Sequence, residues 1–192
     1  MNPALPVLLM AISGLSADQR LVEGNPSAKV RMIVYEDLQC SDCADFRKMF
    51  DDKLLPKYGD AMAVEHRDFP LPKHAWAMKA AIAARYFQTL DPKLSVDFRR
   101  MAMANQSSIT AENFEEKLAA FCRAKGIDPA KARAALANGK LARLVDADFQ
   151  EGVARGVAHT PTIFIDGEPY IETFTVEEIS KGIEAAVARS KQ

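Results

Sequence analysis

The stretch YEDLQCSDCADFRKMF, residues 35–50, places Cys40 and Cys43 two residues apart, with Ser41 and Asp42 between them. Just before it, VRMIVY (Val30 to Tyr35) is β-branched and mostly apolar, the pattern of a buried strand. Just after it, Phe46, Phe50 and Leu54 recur at helical spacing, until Pro56 and Gly59 stop or kink the helix. AMAVEHRDF (Ala61 to Phe69) then reads as a second strand, running into Pro70 and Pro72. The segment is therefore strand, helix, strand, and Cys40 stands at the turn into the helix.

That position has chemical consequences. A helix begins with unpaired backbone N–H groups and the positive end of its dipole, and both stabilise a thiolate. Cysteines at i and i+3 share one helix face, so Cys43 can attack a mixed disulfide formed on Cys40. Two other readings stand beside this one: half of a metal site, or an inert structural pair. A zinc site needs four ligands. No second cysteine pair exists, and His66, His74 and His159 lack finger-like spacing. A C-x-x-C beside a βαβ pattern is a redox signal, and redox is the favoured reading, with no metal expected.

Composition narrows the field. A chain of 192 residues with 48% hydrophobic and 27% charged residues can build one ordinary core. A net charge of −1 supplies no electrostatic argument for nucleic acid as a partner. Three cysteines are too few for a disulfide-stapled scaffold, so stability must come from the core. The apolar run Leu5 to Ile12 is too short to span a bilayer. Residues 1–21 read either as a secretory leader ending near Ala17 or as a segment packed on the domain. Against the leader, no Lys or Arg precedes Arg20, and Leu15 fits poorly before the cut.

The middle of the chain is helical. HAWAMKAAIAARYF (His74 to Phe87) is rich in strong helix formers. Asp91-Pro92 and Asp128-Pro129 each supply an N-cap followed by proline at the first helical position. Between them Phe114, Leu118, Phe121 and Cys122 form one apolar stripe, which makes Cys122 a buried core thiol. Another helix spans about Leu141 to Arg155. PTIFID and PYIETF then flank an Asp166-Gly167 hairpin turn, and Thr175 with Glu178 forms a capping box opening a last helix with Ile179 and Ile183 inside. The predicted layout is βαβ, several helices, then ββα.

Four motifs, VEGNPSAKV, YEDLQCSDC, RDFPLPKHAWAMKAA and HTPTIFIDG, occur in that order. Together they resemble the α/β thioredoxin fold, and within it the DsbA-like branch with an inserted all-helical domain. The resemblance covers about residues 22 to 190. It divides the chain into the 1–21 leader or packing segment and a domain over 22–192, with the helical insertion at about 72–157. It implies that Cys40 is the exposed, attacking cysteine and Cys43 the resolving one. It also implies that Pro161 is a cis-proline facing the pair, and that the backbone of Thr160 binds an extended substrate segment. An ordinary trans proline opening a strand is the alternative for Pro161. The implied protein is extracytoplasmic in bacteria, periplasmic or in the cell envelope. It oxidises exported proteins, needs no cofactor beyond the Cys40–Cys43 disulfide, and is reoxidised by a membrane partner. A reductase or isomerase of the same fold and a non-catalytic client-binding module are the alternatives.

The chain departs from that branch in two places. Where strong oxidants favour histidine between the cysteines, it has Ser41 and Asp42. A carboxylate about 6 Å from a thiolate costs roughly 0.7 to 2.8 kcal/mol, depending on the effective dielectric, and so weakens the oxidant. Alternatively Asp42 is simply solvated. Six residues before the first cysteine, where the branch often carries glutamate, stands Val34. Asp37 is then the preferred acid for the Cys43 proton, and Glu36 reads as surface charge at a strand end. His159 is placed either near the sulfurs, offsetting Asp42, or in a loop without a redox role. His74 and Trp76 are expected only to pack.

Overall fold

The computed structural model describes residues 20–191. Residues 1–19, and with them most of the leader reading, lie outside the described residues. Five strands form one mixed sheet: β1 (Leu21–Gly24), β2 (Val30–Glu36), β3 (Met62–Asp68), β4 (Thr162–Ile165) and β5 (Glu168–Ile171). Their order across the sheet is β1-β3-β2-β4-β5, with β2 and β3 parallel and every other pair antiparallel. This is the α/β thioredoxin arrangement, βαβ followed by ββα. The first strand is an addition. Leu21 is buried and opens β1. Four residues are too few to show a period, and β1 is defined by its pairing with β3.

Helix α1 (Ser41–Met49) continues through a π-helical turn, Phe50–Leu54, into α2 (Leu55–Tyr58). Pro56 does not end it. The wider turn just before the proline absorbs the mismatch, and the helix stops at Gly59. Phe46, Phe50 and Leu54 lie under one sheet face with Val34, Met32 and Ile163. Ile179 and Ile183 of α8 (Val176–Arg189) complete that layer, and the predicted capping box at its start is formed. The other face carries Tyr35, Phe69 and Phe164, covered by α7 (Gly139–Ala154). Gly152 permits that approach, because a Cβ there would stand 2.7 Å from the Phe69 ring.

Between β3 and β4 the chain forms α3 (Ala77–Leu90), α4 (Pro92–Ala104), α5 (Phe114–Ala124), α6 (Pro129–Ala135) and α7. Their core stacks Trp76 on Phe114 and groups Phe87, Phe98 and Phe121, with Cys122 fully buried among them. Leu38, Cys40 and Cys43 belong to this same cluster. The cysteine pair thus lies where the end of the sheet meets the helical core.

Charge fastens that junction. Glu36 and Asp68 face each other at the ends of β2 and β3. Arg99 of α4 donates to both, 2.8 Å to Glu36 Oε1 and 2.6 Å to Asp68 Oδ1. Arg85 of α3 joins Asp68 to Asp148 of α7. His66 has Nδ1 2.9 Å from Glu36 and Nε2 2.9 Å from Glu23. The expectation of Glu36 as surface charge is therefore wrong: it is 2% exposed. The helices fold over the strand end and bring an arginine to it, which no local pattern announces.

Burial disfavours the His66 imidazolium, but the charge of Glu36 and the contacts with Glu23 outweigh it and raise the pKa. Burial likewise opposes the carboxylates of Glu36 and Glu23, yet His66 first and then the arginines hold both low. The raised histidine contributes stability that is complete below about pH 6.5 and lost as pH rises through its folded value. The lowered glutamates contribute stability that is complete above about pH 4.5 and lost on acidification. The trio is strongest between those limits. His66→Gln should therefore cost most stability near pH 5.5 and progressively less toward pH 9, as read by urea unfolding across that range. Arg99→Met, which strands two buried carboxylates, should cost about 3–5 kcal/mol in the same assay. A cost under about 1 kcal/mol would contradict the clamp.

Candidate active site

Strand β2 ends at Glu36, and four residues later Cys40 caps helix α1 with an extended backbone, φ −79° and ψ 127°. Its own N–H donates to Asp37 O at 3.1 Å, and its carbonyl accepts from Ala44 N–H at 3.1 Å. Cys43 lies in the first turn of the helix. The two are free thiols. Cys43 is 0% exposed and Cys40 only 7%. Cys40 is thus less open than the resemblance implies. The loop before β4 covers it, and Cys40 Sγ donates to the Thr160 carbonyl at 3.2 Å. The Thr160–Pro161 peptide bond is cis. The Pro161 carbonyl accepts from Glu172 N–H at 2.9 Å, which ties this loop to the end of β5.

The two sulfurs differ electrostatically. The Cys43 thiol donates to the Cys40 sulfur and favours its thiolate more than any other group. Burial opposes it; Thr160 and the N–H groups of Cys43 and Asp42 assist, although none reaches full capping geometry. The result is a Cys40 pKa pulled down to about 6. Cys43 moves the other way. Burial dominates, the Cys40 hydrogen bond and charge add to it, and Glu36 contributes further; the Asp37 N–H opposes. That N–H stands 3.4 Å from Cys43 Sγ.

Asp37 differs from its expected part. Its carboxylate accepts from Gln39 N–H, Leu71 N–H and His74 Nδ1, each at 2.7 Å. Its contact with the Cys43 sulfur is through the backbone. His74 therefore does more than pack: it holds Asp37. Trp76, its ring packed in the helical core, donates its backbone N–H to Gln39 Oε1 at 2.8 Å. Gln106 Nε2 donates to the carbonyls of Leu38 and Cys40, at 3.0 and 2.8 Å. Sequence reading missed Gln39 and Gln106, because neither residue type signals chemistry and their partners lie far along the chain. Ser41 and Asp42 are exposed, and the part of Asp42 that assists the Cys40 thiolate is its N–H. His159 pairs with Glu172 at 2.8 Å on the surface, and no contact with a sulfur is formed. Val34 is buried in the sheet core. Among the described residues no group of three or more His, Cys, Asp or Glu is placed to hold a metal.

The fold that positions these residues is shared with known proteins. A family model described as Thioredoxin matches residues 16–185. The chain belongs to the thioredoxin family. Its fold is DsbA-like. It is similar to the structure of α-DsbA1 from Wolbachia pipientis, with a TM-score of 0.79 and 19% identity over 92% of this chain and 94% of that one. It is also similar to oxidised BdbD from Bacillus subtilis, with a TM-score of 0.75 and 20% identity over 90% and 95%. The chain spans about a quarter of the length of the curated relatives it matches. One is a Na(+)/H(+) antiporter NhaA of Herminiimonas arsenicoxydans, 25% identical over 166 residues, which are 86% of this chain and 25% of that protein. Coverage of the solved structures runs through the helical segment as well as the sheet.

For this thioredoxin-family chain the asymmetry of the sulfurs is directly measurable. In the reduced protein, thiolate absorbance should titrate with a midpoint near 6 for Cys40, while Cys43 stays protonated through neutral pH. Cys43→Ser, which weakens the leading hydrogen bond to the thiolate, should move that midpoint up. The folded Cys40 pKa lies below the ordinary thiol value, so the reduced form gains stability from this group at high pH. That gain disappears as pH falls through about 6.

Proposed function

We propose that the chain is a protein thiol–disulfide oxidoreductase working as a dithiol oxidase. The observation that carries this reading is the opposed pair of sulfurs: Cys40 acidified at a helix N-cap beside Thr160, Cys43 sealed and held protonated. In the oxidised protein a client thiolate attacks Cys40 Sγ, the Cys40–Cys43 bond breaks, and the electron pair leaves on Cys43, which takes up a proton. The client's second thiolate then attacks the client sulfur of the mixed disulfide. Cys40 departs as a thiolate, a good leaving group because its pKa is about 6. The client has lost two electrons, and the pair now holds them. No cofactor enters, because exchange proceeds between sulfurs alone. The extended client segment pairs with the Thr160 backbone ahead of Pro161.

A stabilised thiolate stabilises the reduced protein and makes the disulfide oxidising. A Cys40 pKa near 6 sits inside the range of reactive cysteines, not at its acidic extreme, so the poise is that of a moderate oxidant. The clients are exported proteins in an extracytoplasmic compartment, and a membrane redox partner reoxidises the pair. The similarity to part of a membrane antiporter supports a place beside a membrane. No described helix is itself long and apolar enough to cross one.

Two measurements test the proposal. After reduction, an alkylating reagent should modify Cys40 far faster than Cys43; equal, slow labelling would remove the catalytic reading. Equilibration against glutathione should place the potential well above about −270 mV, the value of thioredoxin. A potential at or below that value would assign the reverse, reducing direction.

A further inference from the structure

The loop that carries Cys40 is held from the helical segment, and one of the holding residues reaches the nucleophile's own backbone. Gln106 opens a short 3₁₀ turn, Gln106–Ser108, directly after α4. Its side-chain amide has two protons and uses them on carbonyls two residues apart, Leu38 O and Cys40 O. The base from which it reaches is rigid. Arg99 on the same helix is locked between Glu36 and Asp68 at the strand ends. The Cys40 carbonyl is also the first acceptor of α1, through Ala44. Gln106 therefore grips the N-cap residue at the atom that fixes its extended backbone.

We propose that Gln106 is a positioning residue for Cys40: by bridging the Leu38 and Cys40 carbonyls it holds the N-cap geometry that stabilises the thiolate. Two effects act in the same direction. The extended backbone keeps the sulfur beside the N–H groups of Asp42 and Cys43 and beside Thr160. The amide also places the positive end of its dipole against the Cys40 carbonyl, adding to the bond this oxygen accepts from Ala44 N–H and so offsetting more of the carbonyl's negative end. Gln39, gripped by the Trp76 N–H, and Asp37, gripped by Leu71 and His74, hold the same loop but do not touch the Cys40 carbonyl. The helical segment thereby enters the reaction through the backbone of the nucleophile. This rests on the oxidoreductase reading above.

The test uses the reduced full chain and two variants. Gln106→Met keeps the side-chain length and removes both donors; Gln106→Lys keeps a donor and adds positive charge. Thiolate absorbance should show the Cys40 midpoint rising by about half a unit or more in Q106M. That equals roughly threefold less thiolate, and threefold slower alkylation, below the midpoint. Q106K should return the midpoint to the wild-type value or lower. Q106M should also lower the melting temperature of the reduced form more than that of the oxidised form. An unmoved midpoint, with both forms destabilised equally, would mean that Gln106 only braces the fold, and would overturn the proposal. If Q106M does not fold, the wild-type protein decides. The Gln106 side-chain amide resonances should titrate with the Cys40 midpoint, and a flat profile overturns the proposal. A wild-type Cys40 with an ordinary thiol midpoint would instead remove the oxidoreductase reading itself, and this inference with it.

Discussion

Arg99 lies between Glu36 and Asp68, where two parallel strands end, and the placement of the cysteine pair depends on that contact. A guanidinium and two carboxylates are costly to bury. The pairing offsets desolvation only where the geometry is good. Here the clamp brings α4 down onto the ends of β2 and β3 at one register. The turn that follows α4 then reaches the loop between β2 and α1. Because Glu36 and Asp37 are adjacent, one residue anchors the helical segment and the next organises the active loop.

That arrangement lets burial and exposure divide the two sulfurs. Helix geometry alone would bring both cysteines near the positive end of α1. The helical core closes over Cys43 entirely, so desolvation governs it and keeps it a thiol. Cys40, at the cap, is reached by the Cys43 thiol, Thr160 and helix N–H groups, and is acidified despite being largely covered. Asp42 follows the second of its two sequence readings, the solvated acid. Its carboxylate, placed two residues from Cys40, suggested either a raised thiol pKa or a solvated charge with little effect. Its side chain points to solvent, where water screens it, while its N–H works in the opposite direction.

Much of this was legible beforehand where the signal is local. The period of Phe46, Phe50 and Leu54, the caps at Asp91 and Asp128 and the capping box at Thr175 each reflect contacts within a few residues, and the structure contains all of them. The Asp166-Gly167 turn is formed with both residues at positive φ. Strand β1 was not legible, since its four residues are defined by β3. Neither were the parts of Glu36, His74 and Gln106. Each is an ordinary polar residue whose partner lies between 30 and 68 residues away in sequence.

The amino-acid sequence by itself determined the order of strands and helices from β2 onward, the C-x-x-C pair at a strand-to-helix turn and the Thr-Pro loop that precedes β4, because period, capping and turn chemistry are short-range. Only the tertiary structure decided how completely Cys43 is sealed, what Asp37 and His159 bind, and how the helical segment grips the loop that carries Cys40. Those outcomes depend on desolvation and on charges brought together across the sheet. Both depend on distance in space, which a linear chain does not display.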